Sequence, residues 1–84
     1  MKFRAEINVM PHKELLDPQG KAVQHGLHKM NFKEIADVRI GKHISIRLSA
    51  DSRAEAVEKI DDACRKLLAN PIMEGYSFEL FQEE

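Results

Sequence analysis

The sequence predicts an α+β sandwich, an antiparallel sheet carrying two helices on one face. Three observations predict it. Four short segments, around 3–9, 36–40, 44–48 and 72–81, alternate apolar and polar residues, the pattern of half-buried strands. Two intervening segments place apolar residues three and four apart behind good N-cap residues, the pattern of surface helices. The chain has 84 residues, so residues 1–84 are expected to form one domain, because compact domains usually run to ~100–150 residues.

In the first strand Phe3, Ala5, Ile7 and Val9 point one way and Lys2, Arg4, Glu6 and Asn8 the other. Met10-Pro11 should end it, since proline has no N–H for a ladder. Pro11 to Leu16 connects to the first helix, which should run from Pro18 to about Met30. Asp17 is the natural N-cap and Pro18 suits the first helical position. Val23, Leu27 and Met30 form its apolar stripe. Gly26 beside that stripe costs ~1 kcal/mol against alanine, which predicts a close approach of the helix to the sheet or to another chain there. Asn31 is placed to close the helix in the left-handed conformation.

The next two strands place Ala36, Val38 and Ile40 on one face, then Ile44, Ile46 and Leu48. A two-residue turn would put these two sets on opposite faces. A three-residue loop, Gly41-Lys42-His43, pairs Ile40 with Ile44 and Val38 with Ile46 and keeps them together, so a bulged hairpin is expected. Ser52 and Glu55 have capping-box spacing and open a second helix with Val57, Ile60, Cys64, Leu67 and Leu68 as its stripe. Asn70-Pro71 should stop it, because a residue before proline is pushed out of helical geometry. The last strand, Ile72 to about Phe81, sets Tyr76, Phe78 and Leu80 against Ser77 and Glu79, and Gln82, Glu83 and Glu84 read as a solvated tail. The order βαββαβ with right-handed crossovers gives the ferredoxin-like two-layer sandwich, expected with four strands. Its open sheet face would carry Lys2, Arg4, Glu6, Asp37, Arg39, Ser45, Arg47, Ser77 and Glu79.

Composition excludes several function classes. Thirteen basic and 14 acidic side chains leave a formal net charge of −1, which gives no steering toward nucleic acid or an anionic membrane. No apolar run approaches the ~20 residues of a membrane span, and the start does not read as a signal peptide. The one cysteine, Cys64, cannot staple the fold internally, so a reducing cytoplasm is expected. A domain of this length buries only ~60–65% of its unfolded surface, and burial against a partner is the usual remedy.

Motifs for chemistry are sparse. His25 and His28 are three apart on the first helix, but a metal would need further ligands with the same aim, and two exposed polar residues is the better reading. His12 and His43 have no sequence partner. Cys64 lies on an apolar helix face far from a helix start, as a structural thiol does. Gly20, Gly26 and Gly41 match no phosphate-loop spacing. No catalytic, cofactor-binding or metal-binding residue is therefore assigned. Within this fold class, an RNA-binding module would need aromatics on the third strand, which reads His43 to Leu48 without one. A metal carrier would need a cysteine pair in the first loop, and an acylphosphatase-like enzyme an arginine there, and residues 10–20 contain neither. A ligand-sensing regulatory domain has little sequence signature and stays as the alternative, with an independent small hydrolase behind it.

Three blocks look familiar together. They are Leu16 to Val23 around Asp17-Pro18-Gln19-Gly20, then Phe32 with Asp37-Val38-Arg39-Ile40-Gly41-Lys42, and Cys64 to Ile72 around Leu68-Ala69-Asn70-Pro71. In this order and spacing they resemble the PurS family, the small subunit of phosphoribosylformylglycinamidine (FGAM) synthase, over essentially the whole chain. Asn31, where the family often has glycine, and the stretches Pro11-His12-Lys13 and Phe81 to Glu84 are less typical. The resemblance implies an accessory subunit without a catalytic group. It implies homodimerisation and bridging of the ATP- and magnesium-dependent synthetase (PurL) and the glutaminase (PurQ), with ammonia passing between them. Asp17, Pro18 and Gly20 are explained largely by helix capping, and Asn70 and Pro71 by a helix stop. A turn explains Gly41 but not Arg39 and Lys42 around it. Because loops carry recognition more often than cores, Arg39, Gly41, Lys42, Asp17, Gln19 and Asn70 are taken as expected partner contacts.

Overall fold

A computed structural model describes residues 1–83. Strand β1 (Lys2–Pro11) is central in a three-stranded antiparallel sheet, flanked by β2 (Lys42–Ser49) and β3 (Glu74–Glu83). Helix α1 (Pro18–Lys29) follows β1, and helix α2 (Arg53–Ala63) follows β2. The α+β, ferredoxin-like arrangement expected from the alternation is therefore present, with two helices and an antiparallel sheet.

Register explains why the core sits where it does. Ile7 lies between Ile44 and Phe78, and Ala5 between Ile46 and Leu80. The alternating sets thus meet on one face, where Phe3, Ala5, Ile7 and Val9 are buried. Helix α2 lays Ala56, Ile60 and Cys64 onto this core, one residue per turn at four-residue spacing. Each fully buried large side chain contributes ~1.5–3 kcal/mol, so β1 and α2 carry most of the burial. Ser52 caps α2 by accepting from the Glu55 N–H at 3.1 Å, and Glu55 accepts from the Asp51 N–H. The capping box is thus formed one residue further back than its usual reach.

Several expectations are corrected. Residues 36–40 form no ladder strand among the described residues, and β2 starts at Lys42. The expected hairpin pairing Ile40 with Ile44 is absent. Its physical reason is competition: Ile40 N–H donates instead to Asp17 Oδ2 at 2.9 Å, and the segment runs back along α1. Asp37 and Arg39 are consequently not on the sheet. Strand β1 reaches Pro11, which pairs with Glu74 at the edge of the ladder. Strand β3 begins at Glu74, two residues later than expected, because Asn70 Oδ1 accepts from the N–H groups of Ile72 and Met73 and holds a turn there. Gln82 and Glu83 belong to β3 rather than to a tail, and Glu84 lies outside the described residues.

The second helix also departs from a simple stripe. After Ala63 it widens into a π-helical turn, Cys64–Leu68, with Ala69 N–H donating to Cys64 O at 3.0 Å. The extra residue rotates Leu67 into solvent and Ala69 into the core. Gly26 makes no close approach to the sheet of its own chain, having open space where a Cβ would stand. The close approach is at Gly20 instead, whose added Cβ would lie 2.1 Å from Val38 O. Asn31 does close α1 with φ 76°. Of α1, only Gly20 is buried, and Met30 is 69% exposed. Helix α1 and residues 30–41 thus form an arm beside the sandwich, and the protomer measures 51 × 28 × 14 Å.

Candidate functional site

The arm is tied at its root by two side chains that the sequence singles out, Asp17 and Arg39. Asp17 Oδ1 accepts from Gly20 N–H at 3.0 Å, capping α1, while Oδ2 accepts from Ile40 N–H. Two backbone donors, Gly20 first and Ile40 next, with Arg39 nearby, hold the Asp17 carboxyl below the usual carboxylate range. Arg39 donates to the carbonyls of Lys13 at 3.0 Å, Pro11 at 3.1 Å and His12. One carboxylate and one guanidinium therefore bind the loop after β1, the start of α1 and the returning segment into one unit. Lysine could not span three carbonyls with its single ammonium as the planar fork does.

Gly41 lies where the arm returns to the sheet. A Cβ there would stand 2.2 Å from Val9 O and 2.3 Å from Met10 Sδ, so only glycine passes without displacement. Lys42 follows as the first residue of β2, opposite Val9.

Gln19 and Asn70 meet Asp17 around a different feature. Together with Leu16, Ile40 and Met73 they border an open groove of about 430 Å³. Leu16 is 71% exposed. Asn70 is held rigid, since its N–H donates to Glu74 Oε1 at 2.8 Å while its side chain caps the following turn. Five of the expected residues thus gather in two places, Asp17, Arg39 and Gly41 at the arm root and Asp17, Gln19 and Asn70 at the groove. Lys42 stands apart on the edge strand. Sequence reasoning missed the apolar members Leu16, Ile40 and Met73, which are distant in the chain, and no local signal joins them.

The open sheet face carries a charge network rather than a reactive centre. His43 bonds Glu6 Oε2 at 2.6 Å and Asn8 Oδ1 at 2.7 Å, and Ser45 Oγ donates to Glu6 Oε1 at 2.9 Å. These bonds, His43 foremost, lower the Glu6 carboxyl. His43 thus gains partners that only the strand register could reveal. Arg4 reaches Glu83 at 3.2 Å and lies over the Phe81 ring, 4.8 Å from its centroid. Its Nε is 3.0 Å from Glu6 Oε1 but is not aligned for a hydrogen bond. Arg47 also approaches Glu83, at 3.3 Å.

The remaining candidates are structural in their contacts. The His28 ring bonds Ile35 O at 2.8 Å across the arm, and His25 does not join it in a cluster. Among the described residues no three His, Cys, Asp or Glu side chains gather as a metal set. Cys64 is buried, and burial pushes its thiol up, away from thiolate reactivity. Tyr76 donates to Asp61 Oδ1 at 2.5 Å, and that bond raises the phenol. Among the described residues no helix is long and apolar enough to cross a membrane.

Comparison with known proteins fits this geometry. The sequence profile described as "PurS: Phosphoribosylformylglycinamidine (FGAM) synthase" matches residues 4–82. The PurS subunit of phosphoribosylformylglycinamidine synthase from Bacillus subtilis is 40% identical over 78 residues, covering 93% of this chain and 92% of that protein. Its crystal structure superposes with a TM-score of 0.83 at 38% identity, over 95% of this chain and 99% of that one. A chain of the PurLQS structure from Thermotoga maritima superposes with a TM-score of 0.88 at 27% identity, over 96% of this chain and 99% of that one. Matched from near the start of β1 to near the end of β3, with the arm included, this chain belongs to the PurS family of FGAM synthase.

Proposed function

We propose that the chain is the accessory, non-catalytic subunit of an FGAM synthase. In this reading it acts in the cytoplasm as a homodimer that bridges a synthetase (PurL) and a glutaminase (PurQ). The synthetase would bind ATP and magnesium and carry out the amidation of formylglycinamide ribonucleotide. The glutaminase would supply ammonia, and this chain would hold the two in an arrangement that favours its transfer. One observation carries the reading: the family match spans residues 4–82, and a chain of the same fold occurs in PurLQS from Thermotoga maritima.

The contacts proposed for the larger subunits are the groove residues Asp17, Gln19 and Asn70. The side chains of Asp17 and Asn70 are fixed by backbone N–H groups, and with Gln19 they border exposed apolar side chains, the anatomy of an interface with an apolar centre and a polar rim. Arg39 and Gly41 set the root of the arm, and Lys42 on the edge strand is proposed as a further contact. The test is reconstitution. Glutamine-dependent FGAM formation by the synthetase and glutaminase should fall sharply when this chain is omitted, and the chain alone should hydrolyse neither ATP nor glutamine. Full glutamine-dependent activity without it would overturn the reading.

A further inference from the structure

The open sheet face holds one side chain whose bonds depend on its own proton count, His43. Register brings it there. Even-numbered residues of β1 and odd-numbered residues of β2 share this face, with Asn8 opposite His43 and Glu6 opposite Ser45. His43 therefore has Asn8 directly across from it and Glu6 on the diagonal. Its Nε2 lies 2.6 Å from Glu6 Oε2 and its Nδ1 lies 2.7 Å from Asn8 Oδ1.

Both of those oxygens are acceptors. A neutral imidazole carries one N–H and satisfies one of them, whereas imidazolium carries two and satisfies both. Glu6 cannot supply the missing proton. Its carboxyl is held low by His43 first and Ser45 next, so it is an ionised, acceptor-only group wherever imidazole titrates. The proton on Nε2 is therefore kept, and the proton on Nδ1 is the one that leaves. The bare nitrogen then faces Asn8 Oδ1, lone pair against lone pair. That contact opens, or the Asn8 amide turns over to donate its N–H.

The other charges on this face come from all three strands. Strand β1 contributes Lys2 and Arg4, β2 contributes Arg47, and β3 contributes Glu83 and Glu79, the latter opposite Glu6. Arg4 Nε lies 3.0 Å from Glu6 Oε1, and Arg47 lies 3.3 Å from Glu83. His12 stands at the far end, beside Gly75. Helix α2 packs on the opposite face. Imidazole is the side chain that ordinarily changes charge between about pH 5 and 8. Among the described residues of this face only His43 and His12 carry one, and His43 is the one bonded across the strands.

Position gives these bonds their effect. Strand β2 pairs with β1 alone, so it is an edge strand, and His43 is its second residue. Ala50 N–H donates to Met1 O at 3.0 Å, in step with the β1–β2 register. Even-numbered residues of β2 therefore bond to β1. Ile44, paired with Ile7, lies next to His43, and Leu48, paired with Phe3, lies at the other end of the same ladder.

We propose that His43 is a proton-sensitive clasp: with both ring nitrogens protonated it ties the start of β2 to Glu6 and Asn8 together, and with one it holds Glu6 alone and lets the start of β2 open more often. Linkage sets the sign. Bonds that need the charged ring are complete on the acid side of imidazole's ordinary ~6.5 and are lost as pH rises past it. His43 is 53% exposed, so the change in opening is that of an exposed pair, about two- to fivefold.

The test is amide exchange of the full wild-type chain by NMR at about pH 5 and about pH 8. The ratio of the Ile44 rate to the Leu48 rate cancels the intrinsic pH dependence of exchange. That ratio should rise about two- to fivefold from the acid to the alkaline condition. The side-chain amide signals of Asn8 should move in the same pH step as the His43 ring. An unchanged ratio overturns the clasp. So does an Asn8 amide that stays in place while the ring titrates, because the bond to Nδ1 is then not the one that changes. His43→Gln, neutral throughout, should leave the ratio flat across this range. A ratio that still rises in His43→Gln assigns the change to another group on the face and overturns the role of His43. The wild-type readings stand without the variant.

Discussion

The two halves of this molecule use the same sequence devices and end differently. The sheet with α2 buries Phe3, Ile7, Val9, Ile60 and Cys64 almost completely. The arm has a comparable apolar stripe, yet Val23 is 42% exposed. The sandwich is held by burial along a long register, while the arm is held by a few directed hydrogen bonds, from Asp17 and Arg39 at its root and from Gln24 and His28 along it. An apolar stripe therefore predicts that a face will be covered, not which chain covers it.

The largest effect should come from cutting into the half held by burial. Ile7→Ala should lower the unfolding free energy by about 2–5 kcal/mol, read by urea denaturation. Val23→Ala in the arm should cost less than about 0.5 kcal/mol in dilute protomer. Where the arm is covered by a second copy, the Val23→Ala cost should grow with protein concentration, because association stabilises by mass action. Equal costs at both sites at every concentration would erase the distinction between the halves.

A smaller and opposite-signed pair tests the arm itself. Gly20→Ala places a Cβ 2.1 Å from Val38 O and 2.8 Å from Asp17 Oδ2. It should destabilise by about 1–3 kcal/mol and speed amide exchange at residues 36–40. Gly26→Ala meets nothing within 4 Å and should stabilise by up to about 1 kcal/mol, because alanine restricts the unfolded chain. Thermal melts of the two variants moving the same way would contradict the placement of both glycines.

Most of the fold was legible in the sequence because its signals are local or strictly periodic. Alternation located β1, β2 and β3, parity placed Ile44, Ile46 and Leu48 on the face of Ile7, and side-chain chemistry located the caps at Asp17 and Ser52 and the stop at Asn31. Residues 36–40 read as a strand yet join no ladder among the described residues, because alternation carries no information about which edge a strand pairs with. Gly26 does not pack on its own sheet, because a helical glycine signals a packing demand without saying which surface meets it. The site was half legible. Asp17, Arg39 and Asn70 stand out as polar residues at turns, and their contacts are with backbone groups near them in the fold. The apolar members of the groove, Leu16, Ile40 and Met73, come from three distant segments, and their assembly depends on register and on the turn at Asn70. The Glu6–His43–Ser45 network was hidden for the same reason, since it exists only once Glu6 is set opposite Ser45.

The smallest effect expected is on pH dependence, and it separates the halves by their chemistry. Folding lowers the Asp17 carboxyl through the N–H groups of Gly20 and Ile40 and through Arg39. A carboxylate lowered on folding stabilises fully above its unfolded value of ~3.9, and that contribution is lost as pH falls through the lower folded value. Protonation of Asp17 removes the acceptor charge that joins α1 to Ile40, so acid should loosen the arm root. Glu6, lowered chiefly by His43 and then by Ser45, follows the same sign, but the strands around it are also held by the buried face beneath. Acid titration followed by amide exchange should therefore loosen Gly20 and Ile40 more than the residues of β1. Asp17→Asn should flatten the arm's transition and leave that of the sheet in place, whereas Glu6→Gln should do the reverse. If the amides of both regions shift together in every variant, the arm and the sandwich are one cooperative unit, and the hydrogen bonds at the arm root are not what distinguishes it.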